Sequence, residues 1–421
     1  MSKKVMRRLL LMMLLLMLIF VSVGCGSKVE VEDLAIATAI GIDRVSQNDQ
    51  SETLFSVRVL KSRNAGGQGS SGSGGGSGGA SGGQTEGWMN FAKGNSMDDA
   101  KRNLATTTAK RLFLGHSRMI VLGEEKARDG VGDIIDFLFR NEEIRLRNWL
   151  LVASGGTAVD FFSISPELTS TFSEEVNDLL TLSASRVSKS YAVDLKGFLT
   201  DLATPGKEAV LPLLEIRTLP ADDSSSQEGS APKPKKNVRL KGLAVFKGDK
   251  MIGKLEDTET KGFLWVIGEA QSGTLTFPVK NSGTKEPVQV SVEMTRAKSK
   301  IETEIVQGKP VINVKIDAEG NLGEFSDNYA AITSQDIAQV NQGYAETIRK
   351  EVMPVISKCQ KDFASDIFGF GSVLHRQQAK YWKENNLKKN WQSMFPQVEV
   401  KVDVKANVRR TGLSTDSIKV E

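Results

Sequence analysis

Cysteine is the residue type with the clearest chemistry in this chain, and its two copies stand in different surroundings. Cys25 follows a basic amino terminus and an uninterrupted apolar run at 9–23. That run is shorter than the roughly 20 residues of a membrane-spanning helix, and the layout is typical of a signal peptide. Residues 22–25, Ser-Val-Gly-Cys, form a lipobox, in which the thiol receives a diacylglyceryl group and cleavage leaves the cysteine as the new amino terminus. We predict that Cys25 carries lipid.

Ser22 departs from the lipobox pattern, because the position three before the cysteine usually holds Leu, Val or Ile. An uncleaved anchor and a cysteine present by chance are the alternative interpretations of the same segment. Two acyl chains hold a protein stably on a membrane, whereas one chain binds only marginally. The diacylglyceryl group on Cys25 is therefore expected to provide the membrane attachment.

The balance of positive and negative residues limits the kinds of partner that this chain is expected to bind. The chain has 421 residues, with 55 Lys and Arg against 51 Asp and Glu, and four of the cations precede the apolar run. The chain after Cys25 is therefore neutral before histidine is counted, which argues against nucleic-acid binding. The same neutrality removes a polybasic second signal for the membrane, so attachment is expected to depend on the lipid.

The remaining candidates for catalysis and metal binding are few. His116 stands at the start of a predicted strand and His375 in a predicted helix, and neither has an acidic or thiol partner at a diagnostic spacing. Cys359 falls on the apolar face of a predicted helix, which favours a buried, inert thiol over a nucleophile. With Cys25 lipidated, Cys359 has no partner for an internal disulfide. The sequence therefore predicts no metal site, no cofactor and no enzymatic activity.

Other suggestive patterns have simpler explanations. The acidic pairs at 124–125 and 142–143 are ordinary in a chain this charged and do not indicate a glycosidase. Trp382 and Trp391 have the ring type that stacks on sugars, but the packing of amphipathic helices explains them better. The Gly/Ser run at 66–83 lacks the Gly-Lys-Ser/Thr ending of a phosphate-binding loop, so its composition indicates a flexible surface loop between paired strands.

Hydrophobic periodicity predicts alternating strands and helices before residue 155. Strands are expected at 54–60, 116–125 and 147–154, with a helix starting at Ser96 and another ending near 141. A hairpin is expected to turn at 248–249. In the C-terminal part, strict alternation at 288–294, 310–317 and 398–408 predicts an antiparallel sheet with one buried face. Two helices are expected to cover it, at 337–363, where Pro354 should kink or split the helix, and from 372 to 386.

These elements predict an α+β (mixed α/β) protein of three domains that follow a signal peptide at 1–24. The N-terminal mixed α/β domain covers 25–155 and includes the Gly/Ser-rich loop 63–87. A small middle domain covers 156–235 and ends in a polar linker. The C-terminal domain covers 236–421 and consists of an antiparallel sheet covered by long helices.

Several segments together resemble one protein family. Besides the leader with Cys25, they are "DLAIATAIGID" (33–43), the stretch 112–145, "KGLAVFKGDKMIGKLEDTETKGFLW" (241–265), "DIFGFG" (366–371) and the closing stretch 391–412. In this order they are similar to the C-subunit lipoproteins of bacterial spore germinant receptors, the Ger(x)C family. Gly41, Gly369 and Gly371 within these segments are expected at turns that only glycine adopts cheaply.

The resemblance implies an exported subunit, lipid-anchored on the outer face of the spore inner membrane. It implies a complex with two integral-membrane partners, an A subunit with a large soluble domain and a B subunit resembling an amino-acid permease. It also implies a non-enzymatic role in spore germination in response to amino acids, sugars or nucleosides. The alternative is a lipid-anchored solute-binding protein, which would need two similar lobes around a ligand cleft. A surface-anchored hydrolase is a third class, for which the sequence offers no site.

Overall fold

The computed structural model describes residues 30–47, 50–60, 87–186, 188–219, 235–280, 287–325 and 334–410, with a few single positions near the amino terminus. Two sheets organise these residues. Cys25, nearly all of the Gly/Ser-rich loop 63–87 and most of the polar linker before 236 lie outside the described residues. The predictions made for those segments remain predictions.

The described chain forms thirteen strands and eleven α-helices. The strands are β1 Leu34–Gln47, β2 Gln50–Val59, β3 Trp88–Gly94, β4 Arg111–Phe113, β5 Met119–Gly123, β6 Trp149–Ala153, β7 Val210–Thr218, β8 Lys236–Lys247, β9 Lys250–Leu255, β10 Gly273–Val279, β11 Val288–Val306, β12 Lys309–Phe325 and β13 Glu399–Arg410. The helices are α1 Met97–Thr106, α2 Glu124–Asp129, α3 Gly132–Arg140, α4 Ala158–Phe162, α5 Phe172–Arg186, α6 Leu195–Ala203, α7 Asp257–Ile267, α8 Ser334–Lys358, α9 Phe370–Gln377, α10 Ala379–Glu384 and α11 Leu387–Met394.

The first sheet has nine strands in the order β3-β2-β1-β5-β6-β7-β8-β9, with β4 paired to the beginning of β1. Its centre is parallel, since β1, β5, β6 and β7 run in one direction. Antiparallel strands flank this centre on both sides, β2 and β3 next to β1, and β8 and β9 next to β7. The strands of the parallel centre are rich in buried apolar residues, as expected for a sheet covered on both faces.

Helices cover both faces of this sheet. One face packs against apolar residues of α1, α2, α3 and α6. The other packs against α4 and α5, whose Phe161, Phe162 and Phe172 are buried. Helix α1 begins where the sequence predicted, because the hydroxyl of Ser96 accepts a hydrogen bond from the backbone N–H of Asp99 at 3.2 Å.

Two predicted strand pairings are confirmed. Strands β2 and β3, which flank the Gly/Ser-rich loop, pair antiparallel from Thr53 opposite Gly94 to Val59 opposite Trp88. Strands β8 and β9 form the predicted hairpin, and its turn contains Gly248, whose φ of +59° is one that glycine adopts easily. A long insertion between these paired strands costs little, because the entropy of loop closure grows slowly with loop length.

The second sheet has the order β10-β11-β12-β13. The antiparallel C-terminal sheet is confirmed for β10, β11 and β12. Strand β13 instead runs parallel to β12, because four helices, α8 to α11, lie between the two strands and carry the chain back to the starting end. Helix α8 covers one face of this sheet through Val340, Tyr344 and Ile348, all of them fully buried.

Of the two outcomes predicted at Pro354, a kink or a split of the long helix, the split is wrong. Helix α8 continues through Pro354 to Lys358 and then widens into a π-helical turn at Cys359–Phe363. Pro354 lies on the exposed side, while Val352 and Val355 on the opposite side are fully buried, so packing holds the helix through the proline. The single helix expected from 372 to 386 is instead the two short helices α9 and α10, and α11 follows directly after them.

Both sheets contribute to one of the hydrophobic cores. Val210, Leu243, Val245 and Leu255 of the first sheet are buried together with residues of α7, α8 and the second sheet. The first sheet continues past residue 155 through β7 and past residue 235 through β8 and β9. The domain limits drawn from the sequence at 155 and 235 therefore remain predictions about folding units.

Candidate functional site

The residues singled out for catalysis lie apart from one another. His116 is exposed in the turn before β5. His375 is exposed on α9, where its ring centroid lies 5.0 Å from that of Trp382. Trp382 and Trp391 are both buried and pack against each other, with ring centroids 5.8 Å apart. Among the described residues, no group of three His, Cys, Asp or Glu side chains is placed to hold a metal ion.

Cys359 is fully buried in the core beneath the second sheet. Burial raises the pKa of its thiol far above the usual range, and the negative charges of Asp366 and Glu259 add to that increase. The thiolate is the nucleophilic form of cysteine, so a thiol held neutral in this way does not act as a nucleophile.

The best-defined polar centre is the carboxylate of Asp366, in the loop between the π-helical turn and α9. Its Oδ1 accepts hydrogen bonds from the backbone N–H groups of Gly369, at 3.0 Å, and Phe370, at 3.1 Å. Its Oδ2 accepts from the N–H of Gly371 at 2.8 Å and from the indole Nε1–H of Trp391 at 2.9 Å. Four donors therefore converge on one buried carboxylate at the start of α9, which fixes both the loop and α11.

The environment of Asp366 acts on its pKa in two directions. Burial raises the pKa to about 6, and the four donated hydrogen bonds oppose that increase. Both of its oxygens accept hydrogen bonds from N–H groups, which favours the ionised form. Since its partners are all donors, its role is structural, as a cap on the helix and an anchor for Trp391.

Glycine lets another loop approach this centre closely. The loop between α6 and β7 contains Gly206, whose φ is +76° and whose Cα would carry a Cβ only 2.8 Å from the Cα of Gly371. The carbonyl of Gly206 accepts a hydrogen bond from the N–H of Ser372 at 3.0 Å, and the N–H of Glu208 donates to the carbonyl of Asp366 at 2.9 Å. The first sheet and the C-terminal helices therefore meet directly at the motif "DIFGFG".

Of the three glycines expected at turns, only Gly369 is at one, with a φ of +75°. Gly41 lies inside β1, where a Cβ would collide with Ser56, Ala158 and Phe162. Gly371 lies in the first turn of α9, where a Cβ would collide with the indole of Trp391. These two positions require glycine for close packing rather than for backbone geometry.

The motif "DLAIATAIGID" ends in a second buried carboxylate, that of Asp43, which is 1% exposed. Its Oδ1 accepts a hydrogen bond from the N–H of Ala158 at 2.7 Å, at the start of α4, while its Oδ2 has no partner among the described residues. Burial raises its pKa to about 7, and the nearby charge of Asp160 contributes to the increase. Asp43 thus joins the end of β1 to α4.

A third carboxylate, that of Glu124, lies at the same carboxyl edge of the parallel strands. It accepts hydrogen bonds from the N–H of Gly155 and from Lys254 Nζ, both at 2.6 Å, and from Arg128 at 2.8 Å. Burial would raise its pKa, but the bonds from Lys254, Gly155 and Arg128 outweigh burial and hold it below its usual value. This edge is the usual ligand position in parallel sheets.

In this protein, however, the amide groups of the loop after β6 already have partners within the chain. Gly155 donates to Glu124, Thr157 to Asp160, and Ala158 to Asp43. A phosphate or nucleotide would need these N–H groups, so the described structure favours a structural role for this edge.

Two cavities flank Lys207, between the α6–β7 loop and helices α9 and α11; we call them the Lys207 cleft. One is about 280 Å³ and is lined by Tyr191, Asp201 and Arg376 among others. The other is about 310 Å³ and is lined by Glu208, Lys388 and Gln392 among others. Lys207 itself forms an ion pair with Asp201 at 2.6 Å. The cleft is small for a ligand pocket.

Burial changes the pKa values of two groups that line the cleft. Burial raises the pKa of Asp201, although Lys207 opposes the change. Burial also raises the pKa of Tyr191 to about 12, with a contribution from the charges of Asp201 and Glu269. The described residues that line the two cavities include neither a histidine nor a cysteine. Their arrangement of opposite charges suits contact with polar groups.

The sequence analysis missed Asp43 and Asp366, although both stand in quoted motifs. What could have pointed to them is an acidic residue within two or three positions of a glycine and surrounded by apolar residues. A carboxylate in such surroundings is expected to be buried and to accept hydrogen bonds from backbone N–H groups. No described helix combines the length and apolarity needed to cross a membrane.

Comparison with known proteins matches two family models that together span most of the chain. A spore germination protein N-terminal domain matches residues 27–216, and a "Spore germination B3/GerAC like, C-terminal" domain matches residues 241–412. Spore germination protein KC of Bacillus subtilis (strain 168) is 27% identical over 99% of this chain and 98% of its own length. Spore germination protein B3 of the same organism is 23% identical over 72% of this chain and 75% of its own length.

A solved structure shares the fold. The crystal structure of the GerBC protein matches with a TM-score of 0.53 and 17% identity, over 88% of this chain and 98% of that one. The two matched domains, in this order, define a spore germination protein, and the GerBC structure shares its fold. The chain belongs to the Ger(x)C family.

Proposed function

We propose that this chain is the lipid-anchored C subunit of a spore nutrient germinant receptor. In this proposal Cys25, carrying diacylglycerol, holds the protein on the outer face of the spore inner membrane. The folded part assembles there with the integral-membrane A and B subunits and contributes to assembly and signalling without catalysing a reaction.

The observation that carries the proposal is the position of the family match relative to Cys25. The matched N-terminal domain begins at residue 27, and the described fold begins at residue 30, so a lipid on Cys25 would lie at the border of the folded part. Such a tether confines the protein to a thin layer and raises its effective concentration towards membrane partners. Even weak protein–protein contacts would then be occupied.

The described side chains support a non-enzymatic role. The thiol of Cys359 is buried and held neutral, and the three buried or edge carboxylates of Asp43, Glu124 and Asp366 bind the protein's own amide groups. Each of these groups has a structural task that explains its position.

The test is a Cys25→Ala variant produced in sporulating cells of a spore-forming host. The expected result is loss of the protein from the spore inner membrane, loss of the A and B subunits from affinity isolates, and failure of nutrient germination. Ser22→Leu is the matched control, since it changes the same segment but improves the lipobox. Normal receptor assembly and germination with Cys25→Ala would refute the tethering role.

The solute-binding alternative rests on the Lys207 cleft, whose first cavity of about 280 Å³ has both charges in its lining. A true ligand at a hundredfold excess over its Kd would stabilise the protein by about 2.7 kcal/mol. We expect no thermal shift with amino acids, sugars or nucleosides for a subunit whose role is assembly. A shift abolished by Lys207→Met but not by Lys383→Met, an exposed lysine on α10, would favour the alternative.

A further inference from the structure

We propose that one edge of the first sheet is a membrane-facing surface that binds the headgroups of anionic phospholipids. This edge, here called the amino edge, is where the parallel strands β1, β5 and β6 begin. The proposal rests on the proposed lipidation of Cys25, and it adds a second contact with the bilayer.

The strand register shows which residues share the amino edge. Arg111 of β4 pairs with Leu34 at the start of β1, and Arg118 precedes β5 and donates its N–H to the carbonyl of Thr38 in β1. The residues 145–147 lead into β6, whose first residue pairs with the first residue of β5. Lys196 is placed next to them by its backbone N–H, which donates to the carbonyl of Leu146 at 2.9 Å.

Six exposed cations gather along this edge and the loops that join it. They are Lys110, Arg111, Arg118, Arg145, Arg147 and Lys196. Within the described part of the chain none of the six forms an ion pair, whereas several cations at the opposite, carboxyl edge do, among them Arg44, Arg128, Arg239, Lys241 and Lys254. The positive charge of the amino edge is therefore left for an external partner.

Acidic residues at the same edge are fewer and lie mainly to one side. Glu30, Glu32 and Asp33 precede β1, and Glu142 lies in the loop before β6. Glu143 is engaged internally, since its Oε2 accepts the N–H of Leu114 at 3.0 Å. Asp194 is likewise engaged, since its backbone pairs with Trp149 and its Oδ1 accepts the N–H of Gly197 at 2.7 Å. Six exposed cations at this edge therefore face four exposed anions.

Exposed apolar side chains share this edge with the cations. Phe139, at the end of α3, is 69% exposed, and Leu146, between Arg145 and Arg147, is 39% exposed. Trp88, at the start of β3, is 38% exposed. Single exposed apolar residues are ordinary, but aromatic and aliphatic side chains next to unpaired arginines are typical of a surface that enters the headgroup layer.

Chain length places this edge close to the bilayer. Six residue steps separate Cys25 from Val31, which begins the short helical turn before β1, so their Cα atoms are at most about 22 Å apart. A lipid on Cys25 therefore keeps the amino edge within about two to three Debye lengths of the membrane surface at physiological salt. The carboxyl edge lies a full strand length further away.

The cations of this surface are widely separated along the chain, at 110–118, 145–147 and 196. The sequence therefore contains no polybasic segment, and the mature chain is neutral overall. Only the parallel pairing of β1, β5 and β6 brings these residues to one edge. An anionic bilayer is the partner that fits unpaired arginines, exposed apolar groups and a short lipid tether together.

The experiment uses the full-length lipoprotein, purified from bacterial membranes and reconstituted in nanodiscs. The discs contain either phosphatidylcholine alone or phosphatidylcholine with 30% phosphatidylglycerol. Hydrogen–deuterium exchange is compared for peptides covering 110–118 and 139–147. The test variant combines Arg118→Gln, Arg145→Gln and Arg147→Gln. Its matched control combines Lys350→Gln, Lys361→Gln and Lys383→Gln, three exposed lysines on the helices of the C-terminal half.

We expect slower exchange of both peptides in the anionic discs, lost in the arginine variant and kept in the lysine control. A second measurement uses the chain carrying Cys25→Ser and produced without the leader 1–24, so that it has neither lipid nor apolar anchor, and its sedimentation with vesicles containing 30% phosphatidylglycerol. Each arginine near an anionic surface accounts for about fivefold in binding, so the triple variant should bind about a hundredfold more weakly. High salt should weaken wild-type binding in the same direction.

The outcomes separate this proposal from the proposed function. Equal exchange in anionic discs, neutral discs and detergent, with lipid present on Cys25, would overturn the membrane contact and leave the tether intact. Protection seen only in the receptor complex would also overturn it, and would assign the amino edge to a protein partner. Absence of lipid on Cys25 in native membranes would overturn the proposed function. The vesicle assay would still test the amino edge: binding that the arginine variant loses would support lipid binding there, and no binding would refute it.

Discussion

Two aspartates, Asp43 and Asp366, show how single residues hold this fold together. Each is buried, each stands beside apolar residues in the sequence, and each accepts hydrogen bonds from amide groups at the start of a helix. A buried carboxylate is costly to desolvate, and its pKa rises unless donors compensate. Asp366 has four donors, whereas Asp43 has one oxygen without a partner among the described residues. The two positions should therefore respond differently to substitution.

Asp366→Ala is expected to be strongly destabilising. It would leave three backbone N–H groups and the indole N–H of Trp391 buried without an acceptor, and unsatisfied buried donors cost about 1–3 kcal/mol each. We expect a loss of at least about 3 kcal/mol in the free energy of unfolding, measured by urea denaturation. Asp362→Ala, at an exposed position four residues earlier, should change it by less than about 0.5 kcal/mol. Similar losses in both variants would contradict the capping role.

Asp43 is expected to make stability depend on pH. Because its pKa is about 7 in the fold and 3.8 in the unfolded chain, folding favours the protonated carboxyl group. The contribution of the Asp43 carboxyl group to the free energy of unfolding is therefore largest below pH about 4. It is lost as the pH rises through about 7. Relative to Asp43→Asn, which does not titrate, the wild-type free energy of unfolding should fall by roughly 4 kcal/mol between pH 4 and 8. Parallel pH curves for the two proteins would rule this out.

Among the secondary-structure elements, the contact between the α6–β7 loop and α9 depends on glycine at two facing positions. Gly206 and Gly371 let the two backbones approach to a distance at which a side chain on either residue would collide with the other. This contact joins the first sheet to the C-terminal helices beside the Asp366 carboxylate. Because the two backbones are in direct contact, the α6–β7 loop and α9 cannot shift past each other, and the contact should fix their relative position.

Gly206→Ala and Gly155→Ala form a matched pair that measures this contact. The two glycines have almost the same φ, +76° and +75°, so the backbone strain of an alanine is alike, at about 1–2 kcal/mol. A Cβ at Gly155 would meet nothing within 4 Å, whereas at Gly206 it would lie 2.5 Å from the carbonyl carbon of Gly371. Gly206→Ala should therefore lower the free energy of unfolding by about 1–3 kcal/mol more than Gly155→Ala, in parallel urea titrations.

The elements that the sequence predicted best are those whose signals are local. Ser96 with Asp99 marked the start of α1, and alternation marked β11, β12 and β13. Errors arose where packing outweighs a local rule: buried Val352 and Val355 hold α8 through Pro354, and neighbouring side chains, not backbone angles, require glycine at position 41. The direction of β13 depends on the path of four helices, which periodicity alone does not reveal.

For the protein as a whole, the two sheets share a hydrophobic core. Leu243 and Val245 of β8 are fully buried together with side chains of α7, α8 and the second sheet. This joint core could not be predicted from the sequence, because the residues involved are distant in the chain. Nor could the sequence predict the Lys207 cleft or the cations along the amino edge, which likewise come together only through the topology of the first sheet.

A shared core predicts that the two sheets unfold together. Thermal unfolding should show one transition, with hydrogen exchange in β6 and in β12 reporting the same midpoint. Leu243→Ala should lower both midpoints, because a cavity at this position weakens the common core by about 2–5 kcal/mol. Leu182→Ala, at an exposed position on α5, is the control and should change neither. Two separate transitions would show that the sheets are independent folding units.

The position of β1 in the first sheet has a mechanical consequence. The strand nearest to Cys25 is not at the edge of the sheet but in its interior, hydrogen-bonded to β2 on one side and to β4 and β5 on the other. A force applied through residue 25 would pull along β1, so it would have to shear two ladders at once and could not peel away one outer strand. Movement of a membrane partner would therefore displace the first sheet as a rigid body. The segment after residue 25 would transmit the force to the sheet, and β1 would not separate from it.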